Sequence, residues 1–498
     1  MHLPLLSLET FAATLPPALT EPALALVDAH HIVSANAAAR ALGVKPGCKR
    51  ATALAIAPQI TLGLASAARD AQALRAVAHV ALAFTPNVVI EPGAADAAPH
   101  TVLLEVQGSL RYFGGLPALR QRLHTALAPL GHRLHTVSAA TPLGAALLAR
   151  VHRELDCTEP EATRRALAAA PVWLLGPGRA HWEALQGMGL RTIADLGRVP
   201  RAGLARRFGE QVLSEHDRAM GTKPDPREPL ALAPSFDTRL ELFARADTGE
   251  QLLHGAAVLL ARLVAWLSAQ HAFARRFTLL MHHEQRSRRD ATQPGITTLE
   301  IALAEPSRDS AHLLALLRER LLALQLPAPT LELGLHAEDI ARRAPPNTEL
   351  FPTPASEHEG LVRLIERLQA RLGAEQVTRI APVADHRPER ATVSRLADAQ
   401  MRPVRAAPAS TSLLMRPVWL MRQPEALRER DASPLLDGHA LRLLSGPERI
   451  ETGWWDADLV ERDYYIAQQP GGALVWVYRA RRPVAPQTPS WFLQGRFG

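Results

Sequence analysis

The stretch ALQGMGLRTIADL sets Gly187 and Gly189 in a Gly-x-Gly turn between two short helical patterns. Glycines spaced this way let backbone N–H groups approach a phosphate with no side chain in between, which is the chemistry of a helix-hairpin-helix turn on a DNA backbone. Arginines supply the complementary charge. Arg206 and Arg207 follow that turn, and Arg275, Arg276, Arg286, Arg288 and Arg289 cluster further along, where guanidinium forks suit phosphate oxygens. Metal chemistry finds less support. His30-His31 and His282-His283-Glu284 put adjacent side chains on opposite faces of an extended segment, and no third ligand has a useful spacing, so no metal site is expected. Cys48 and Cys157 cannot build a disulfide framework or a four-thiolate zinc site and point to reducing cytoplasm. Cys48, beside Lys49 and Arg50, reads as an incidental thiol.

Several domains are needed to position these residues, and at about 100–200 residues per domain the 498 residues suffice for about three to five. Hydrophobic residues at 47% and charged residues at 21% lie near globular averages, which excludes wholesale disorder and collagen-like repeats. The 56 basic residues exceed the 49 acidic ones by 7, a balance that permits nucleic-acid contact without proving it. Only Lys45, Lys49 and Lys223 are lysines, a bias expected of GC-rich coding. MHLPLLSLETF lacks a basic leader, and no 18-residue apolar span is free of charge, so neither secretion nor membrane insertion is expected.

Residues 3–9 form a short apolar run that predicts a buried strand, followed by alanine-rich helical patterns to about residue 80 with a turn at Gly43–Gly47. Val77–Phe84, Val88–Ile90 and Val102–Val106 read as strands, Leu116–Leu130 and Pro142–Glu154 as helices, which predicts an α/β unit with an all-helical insertion. Glycine-punctuated short helices occupy 171–226. From 236 to 340 the order is β-α-β-β-α-β, a split ferredoxin-like unit. Pro345-Pro346 and FPTPASEHEG mark a linker, and a helix over Gly360–Leu372 precedes irregular Pro- and Arg-rich sequence. The last eighty or so residues hold Trp454, Trp455, Tyr464, Tyr465, Trp476, Tyr478 and Trp491, and the alternation in ALVWVYRA predicts a compact β module.

This order of modules resembles the Y-family translesion DNA polymerases over nearly the first 340 residues. LLSLETFAATL lies where that family has the strand that begins its metal site, ANAAARALGVKPG is similar to its finger helix and turn, and LLEVQGSLRYFGG to the strand after its catalytic carboxylate pair. The resemblance implies an α+β right hand: α/β palm (1–10 and 75–165), helical fingers (11–74), helix-hairpin-helix thumb (166–230) and ferredoxin-like little finger (236–340). Two-metal nucleotidyl transfer needs about three carboxylates to hold two Mg²⁺ roughly 3.5–4 Å apart. The matching positions are Ser7, His100 and Thr101, so all three ligands are lost. Glu9, Asp96 and Glu105 lie nearby. Of the nucleotide pocket, Asn36 and Arg40 persist, whereas Ala12 replaces the bulky residue against the ribose, Ala37 a tyrosine, and PLGAALLAR has no phosphate lysine.

One branch shares these losses, the ImuB proteins, and DHRPERA at 385–391 together with GPERIETGWWDADLVERDYYIA, VWVYRARR and WFLQGRFG is similar to their distinctive tail. The resemblance implies a non-catalytic, cytoplasmic and nucleoid-associated adaptor of damage-induced mutagenesis, with no cofactor, a linker (341–360) and a C-terminal partner-binding region (361–498). Its implied partners are primer-template DNA, the sliding clamp, an error-prone C-family DNA polymerase and a RecA-like ImuA-type protein. Asn347-Thr-Glu-Leu-Phe351 has the Leu-Phe ending of a clamp-binding peptide, with Leu350 and Phe351 as anchors. Leu413–Leu420 is a second such segment but reads more simply as a strand of the tail. Two other readings stand beside the adaptor: an active Mg²⁺-dependent polymerase with substituted ligands, and a protein scaffold that no longer touches DNA.

Overall fold

Pro4 decides where the first strand stops, because it has no N–H for a ladder and restricts the residue before it. In the computed structural model of the chain, Met1–Leu3 form a short central thread. Leu3 N–H donates to His100 O (2.8 Å), Val102 N–H to Met1 O (2.9 Å), and His2 and His135 exchange bonds of 2.9 and 2.8 Å. Beyond the break the chain is helical over Leu6–Ala12. The strand expected over 3–9 therefore ends at Leu3, and Ser7 rides on a helix. The structure describes residues 1–16, 22–91, 100–176, 181–284, 295–342, 354–397, 416–481 and 490–497.

The fingers are not all helical. β1 (Leu24–Asp28), β2 (His31–Ala35) and β3 (Thr61–Leu64) form a sheet in the order β2-β1-β3, with Ala29 at φ 51° in the tight turn that joins the first two. LALVD is buried at its first four positions, so it reads as a continuous apolar run with no alternation to separate it from a buried helix. The palm helix Ala67–Leu82 starts at the Ser66 cap, whose hydroxyl accepts Arg69 N–H at 3.3 Å. It buries Ala73, Leu74, Val77, Ala78 and Ala81 at helical spacing. Val77–Phe84, read above as a strand, is the end of this helix and its exit; packing on the palm overrides the β preference of Val77 and Val80.

β4 (Val88–Ile90) pairs antiparallel with β5 (Val102–Leu104), β6 (Thr136–Ala139) pairs parallel with β7 (Glu154–Cys157), and the Met1–Leu3 thread joins β5 to β6. The thumb helices Pro160–Ala169, Trp182–Gly187, Ile193–Gly197, Arg201–Phe208 and Glu210–Met220 share one apolar core with the palm helix Pro142–Ala149. Leu147, Leu148, Leu167, Leu185, Ile193 and Val212 lie at its centre.

The little finger follows its expected order. β8 (Phe236–Ala246), β9 (Ala272–His283), β10 (Ile296–Ser307) and β11 (Thr330–Ala337) align antiparallel as β10-β9-β11-β8, so the two strands of each β-α-β half are separated by one strand of the other. β12 (Ile340–Arg342) adds to β9. Helix Gly249–Ala269 is, among the described residues, the one helix long and apolar enough to cross a membrane. It is apolar nearly all round because it is covered on both sides. Leu252, Ala256, Leu259 and Leu263 belong to the little-finger core, while Ala265 belongs to that of the palm. Arg262 on this helix is 5% exposed and bonds Gln72 Oε1 (3.2 Å) of the palm helix, Thr238 Oγ1 (3.2 Å) and Arg239 O (3.3 Å). Burial draws its pKa down to about 10.

Helix Pro354–Leu372 lies on the little finger. Glu366 Oε1 accepts Ala304 N–H at 2.5 Å, and its other oxygen meets His312 Nε2 at 2.8 Å. The chain divides into Met1–Arg371 and Leu372–Gly498; residues 361–371, assigned above to the C-terminal region, thus belong to the first unit because that helix buries its polar anchor there.

In the second unit β13 (Thr378–Pro382) and β14 (Thr392–Leu396) make a hairpin. The expected β module follows: β15 (Trp419–Arg430), β16 (Ser433–Leu436), β17 (His439–Ala440), β18 (Arg442–Thr452), β19 (Val460–Gln468), β20 (Leu474–Ala480) and β21 (Trp491–Arg496). Neighbouring strands pair antiparallel, and β21 returns to β15, so among the described residues the sheet runs β17-β16-β15-β21-β20-β19-β18 as a half-barrel with β17 and β18 at its edges. Alternation sorts the side chains: Val475, Val477, Leu427 and Leu493 pack on one face, Trp476, Tyr478, Tyr464 and Ile450 on the other.

Candidate functional site

Two of the three residues that the sequence matched to ligand positions meet in the palm. Ser7 Oγ donates to Asp70 Oδ2 and lies 3.4 Å from His100 Nε2, Thr10 Oγ1 donates to Asp70 Oδ1 at 2.8 Å, and His100 Nε2 stands 3.8 Å from Asp70 Oδ2. Asp70 is 4% exposed and sits in the first turn of the palm helix, where the positive end of the helix dipole favours an anion. Burial alone pushes its carboxyl up; the nearby His100 imidazole and the hydrogen bonds from Ser7 and Thr10 outweigh that and hold its pKa below the ordinary value. Thr101, buried, faces away from this carboxylate and shares a 3.0 Å hydrogen bond with His2 Nδ1. Burial, then the charges of Arg150, His100 and His135, draw the His2 pKa down to about 3.

The neighbouring carboxylates do not gather here. Glu9 accepts Arg133 N–H (3.2 Å) and faces His132 Nδ1 (3.3 Å), while Glu105 Oε1 accepts Gln107 N–H (2.8 Å). Asp96 lies outside the described residues. Among those described, no three His, Cys, Asp or Glu side chains converge as a metal site. A single carboxylate already engaged by two hydroxyls and an imidazole does not fit a pair of Mg²⁺ ions, which need several hard anionic oxygens. Asp70 escaped the sequence analysis; the signal was an acidic residue in the first turn of an otherwise apolar, alanine-rich helix.

Asn36 and Arg40, matched above to the family's nucleotide pocket, are spent on local structure. Asn36 Oδ1 accepts Ala39 N–H (2.9 Å) and Leu24 N–H (3.0 Å) as the cap of helix Ala37–Ala41, and Arg40 Nε donates to Ala35 O (2.9 Å). Next to Ala12, the ring of Phe11 is buried edge-on to Phe243, with centroids 5.5 Å apart. It fills the space over Gly63, where an added Cβ would stand 2.4 Å from the ring.

On the thumb, Gly187 and Gly189 lie at an open turn: no atom stands within 4 Å of an added Cβ at either, and Gly189 has φ +80°. The turn's donors are already engaged. Met188, Gly189 and Leu190 N–H bond carbonyls of the preceding helix, and Asp195 Oδ2 accepts Arg191 N–H (3.1 Å) and Thr192 N–H (3.0 Å). These N–H groups are therefore not free to donate to a phosphate as the sequence reading expected. Arg206 and Arg207 are exposed on the last turn of helix Arg201–Phe208.

The little-finger sheet turns its helix-free face to solvent with both signs of charge. Arg276 pairs with Glu300 (3.1 Å), Arg239 with Glu332 (3.5 Å) and Arg245 with Glu284 (4.0 Å). Arg275 is exposed, with its N–H on Asp339 O. Arg286, Arg288 and Arg289 lie outside the described residues, as do Leu350 and Phe351.

In the second unit, the tail's two distinctive stretches join. Arg387 of DHRPERA is 1% exposed and bonds Asp385 (Nη2–Oδ2 2.7 Å), Asp456 (Nη2–Oδ2 2.6 Å) and Asp458 O (3.2 Å) of GWWDADLV. Arg390 adds Asp456 (3.0 Å) and Asp458 (2.6 Å). The Arg387 side-chain hydrogen bond, then its N–H, draws the Asp385 carboxyl down to about 2; bonds from Asp385 and Asp456 push the guanidinium up. Gly453 (φ +83°) is needed here, since a Cβ would stand 2.0 Å from Asp458 O and 2.8 Å from Arg387 Nη1.

A palm with a threaded central strand, a helical thumb with a Gly-x-Gly turn and a split β-α-β-β-α-β little finger define a polymerase-type right hand. The chain is 30% identical over 481 residues to Protein ImuB of Caulobacter vibrioides, which covers 92% of this chain and 100% of that protein. It belongs to the ImuB family. It is also 27% identical over 186 residues to DNA polymerase IV of Yersinia pestis, covering 36% of this chain and 50% of that one. Similar solved structures include an insertion ternary complex of Dbh DNA polymerase (TM-score 0.38, 16% identity, 68% of this chain, 97% of that chain) and DinB from Sulfolobus solfataricus (TM-score 0.37, 17% identity, 68% and 97%). No protein-family model matches.

Proposed function

We propose that the protein is a non-catalytic, polymerase-like adaptor of translesion synthesis during the DNA-damage response. In this reading it binds primer-template DNA and the sliding clamp and brings an error-prone C-family polymerase to lesions, beside a RecA-like ImuA-type protein. The observation that carries the reading is the palm centre, where Ser7 and His100 meet around one carboxylate that is already hydrogen-bonded. Family membership supports the damage-related role. DNA contact rests on the exposed thumb arginines Arg206 and Arg207, and less on Arg276, which is paired with Glu300. Clamp contact rests on Leu350 and Phe351.

The test is primer extension with Mg²⁺ or Mn²⁺ beside salt-titrated binding of the same primer-template. Binding that weakens steeply with salt, without extension at high protein excess, is expected. Arg206→Glu with Arg207→Glu is expected to weaken binding at every sequence and to flatten the salt slope by about 2, one per phosphate contact. Extension that Asp70→Asn abolishes overturns the adaptor in favour of an active polymerase. No DNA binding at low salt leaves the protein scaffold. Leu350→Ala with Phe351→Ala is expected to lose clamp binding; unchanged affinity puts that contact elsewhere.

A further inference from the structure

The tether that joins the thumb to the little finger is strapped to the palm. Helix Glu210–Met220 ends before Gly221 and β8 begins at Phe236; between them Pro224, Pro226, Pro229 and Pro234 keep the chain extended and stiff. Glu91 N–H donates to Thr101 O and Glu105 N–H to Asn87 O, so odd-numbered residues of β4 turn their main-chain groups toward β5, and Val88 turns its own away. On that outer side Val88 O accepts Leu230 N–H at 2.7 Å, which makes the tether a cover for the edge of β4. Close by, the Arg227 guanidinium lies between Glu91 (2.6 Å) and Asp225 (2.8 Å), whose side chains are 10% and 6% exposed.

Further along, the ties pass to the little finger itself. Ala233 O accepts Trp266 Nε1–H (3.3 Å) and a Gln270 side-chain N–H (3.0 Å), both at the end of helix Gly249–Ala269. On the same helix Ala265 sits in the palm core, and Arg262 reaches Gln72 of the palm helix. From β8, Phe243 N–H donates to Thr14 O (3.2 Å), and its ring meets that of Phe11. Lifting the finger off the palm would break main-chain, ring and guanidinium contacts together. The thumb, for its part, shares one apolar core with the palm helix Pro142–Ala149. Both modules that carry the candidate phosphate contacts are therefore fixed to the palm.

We infer that the little finger stays docked on the palm when the protein binds DNA, with Arg227 and Arg262 as positioning residues. They preset the spacing between Arg206 and Arg207 of the thumb and Arg275 and Arg276 of the little finger. The inference rests on the DNA-binding part of the adaptor reading and gives that binding a mode. A preset surface loses little conformational entropy on association and needs no rearrangement before contact. Neither positioning residue is a DNA contact, since Arg262 is buried and Arg227 is held by two carboxylates.

The experiment uses the full chain and a primer-template duplex. The amides of Leu230 and Phe243 donate to palm carbonyls, so their hydrogen exchange on the unaltered protein reports docking and does not depend on any variant's folding. Exchange at both is expected to stay the same or slow when DNA binds. Acceleration at either overturns the inference while DNA binding stands. The observed association rate, followed by stopped-flow fluorescence, is expected to rise linearly with DNA concentration; a rate that levels off reveals a rearrangement and overturns the inference too. Arg262→Ala removes the tie to Gln72 and is expected to weaken binding about three- to tenfold, as the docked fraction falls. The slope of affinity against salt is expected to stay as it was, because no phosphate contact is lost. Unchanged affinity, or a flattened slope that makes Arg262 itself a phosphate contact, overturns its positioning role. Failure of the unaltered chain to bind DNA at low salt overturns DNA contact, and the inference with it.

Discussion

The palm and the tail each bury a charge, and they neutralise it in opposite ways. Asp70 is an anion that accepts from two hydroxyls, with an imidazole 3.8 Å away and, among the described residues, no lysine or arginine nitrogen within 4 Å of its oxygens. Arg387 is a cation held by Asp385, Asp456 and Asp458, with Arg390 closing the outer side. The first arrangement is solvation by neutral donors; the second is a full ion-pair network joining two sequence stretches 69 residues apart. The comparison separates a buried charge held by neutral donors from one whose surroundings depend on opposite charge.

The largest effect is expected from Arg387→Met. It leaves three carboxylates facing one another around a constrained loop, and removing one partner of a buried charge network is far costlier than never having it. The cooperative melting of the second unit, followed by the near-ultraviolet signal of its tryptophans, is expected to broaden or vanish while the first unit melts as before. An unchanged second transition would reduce the clasp to an ornament of the loop.

Acid should part the two units next. Burial holds the pKa of His2 at about 3 and that of His79 at about 4, below the ordinary histidine value of about 6.5. Above pH ~6.5 both are neutral folded and unfolded; below it the unfolded chain takes up the protons first, so the first unit loses stability as pH falls toward about 3, by up to about 1.4 kcal/mol per pH unit for each group. Asp385, drawn down to about 2, contributes above its ordinary value of about 3.9 and loses that contribution only as pH falls from ~4 to about 2. Denaturant unfolding across pH 7 to 3 is expected to show the first unit weakening well before the second. A common slope would mean that the histidines are solvated.

A smaller change is expected at the palm. Asp70→Ala leaves the Ser7 and Thr10 hydroxyls without their acceptor and is expected to lower the stability of the first unit by about 1–3 kcal/mol. Asp70→Asn, which keeps an acceptor oxygen, is expected to cost less. Equal losses would show that the charge, and not the hydrogen bonds, is what the site needs.

Much of this was legible in the residues. The little finger declared itself through long alternating strands and two helices of clear length, and the tail through the alternation of ALVWVYRA. The fingers sheet was hidden because a fully buried strand such as LALVD has no alternation to distinguish it from a helix. The strand expected over 3–9 failed at Pro4, and Val77–Phe84 failed because helical burial outweighed β preference. Among the sites, the residue types of Ser7, His100 and Thr101, which the resemblance matches to ligand positions, could be read directly. Their relation to Asp70 could not, since 63 residues separate Ser7 from it.

Sequence alone thus determined the inventory: which residue types stand at the ligand positions, the order of the modules, and an arginine supply with few lysines. Tertiary structure decided which of those residues are available. It spent Asn36 on a helix cap and Arg40 on the Ala35 carbonyl, paired Arg276 with Glu300, and engaged the donors of the Gly187–Gly189 turn. The physical reason is that a polar group binds whatever partner the fold brings within about 3 Å, and that partner is set by distances in space that spacing along the chain does not encode.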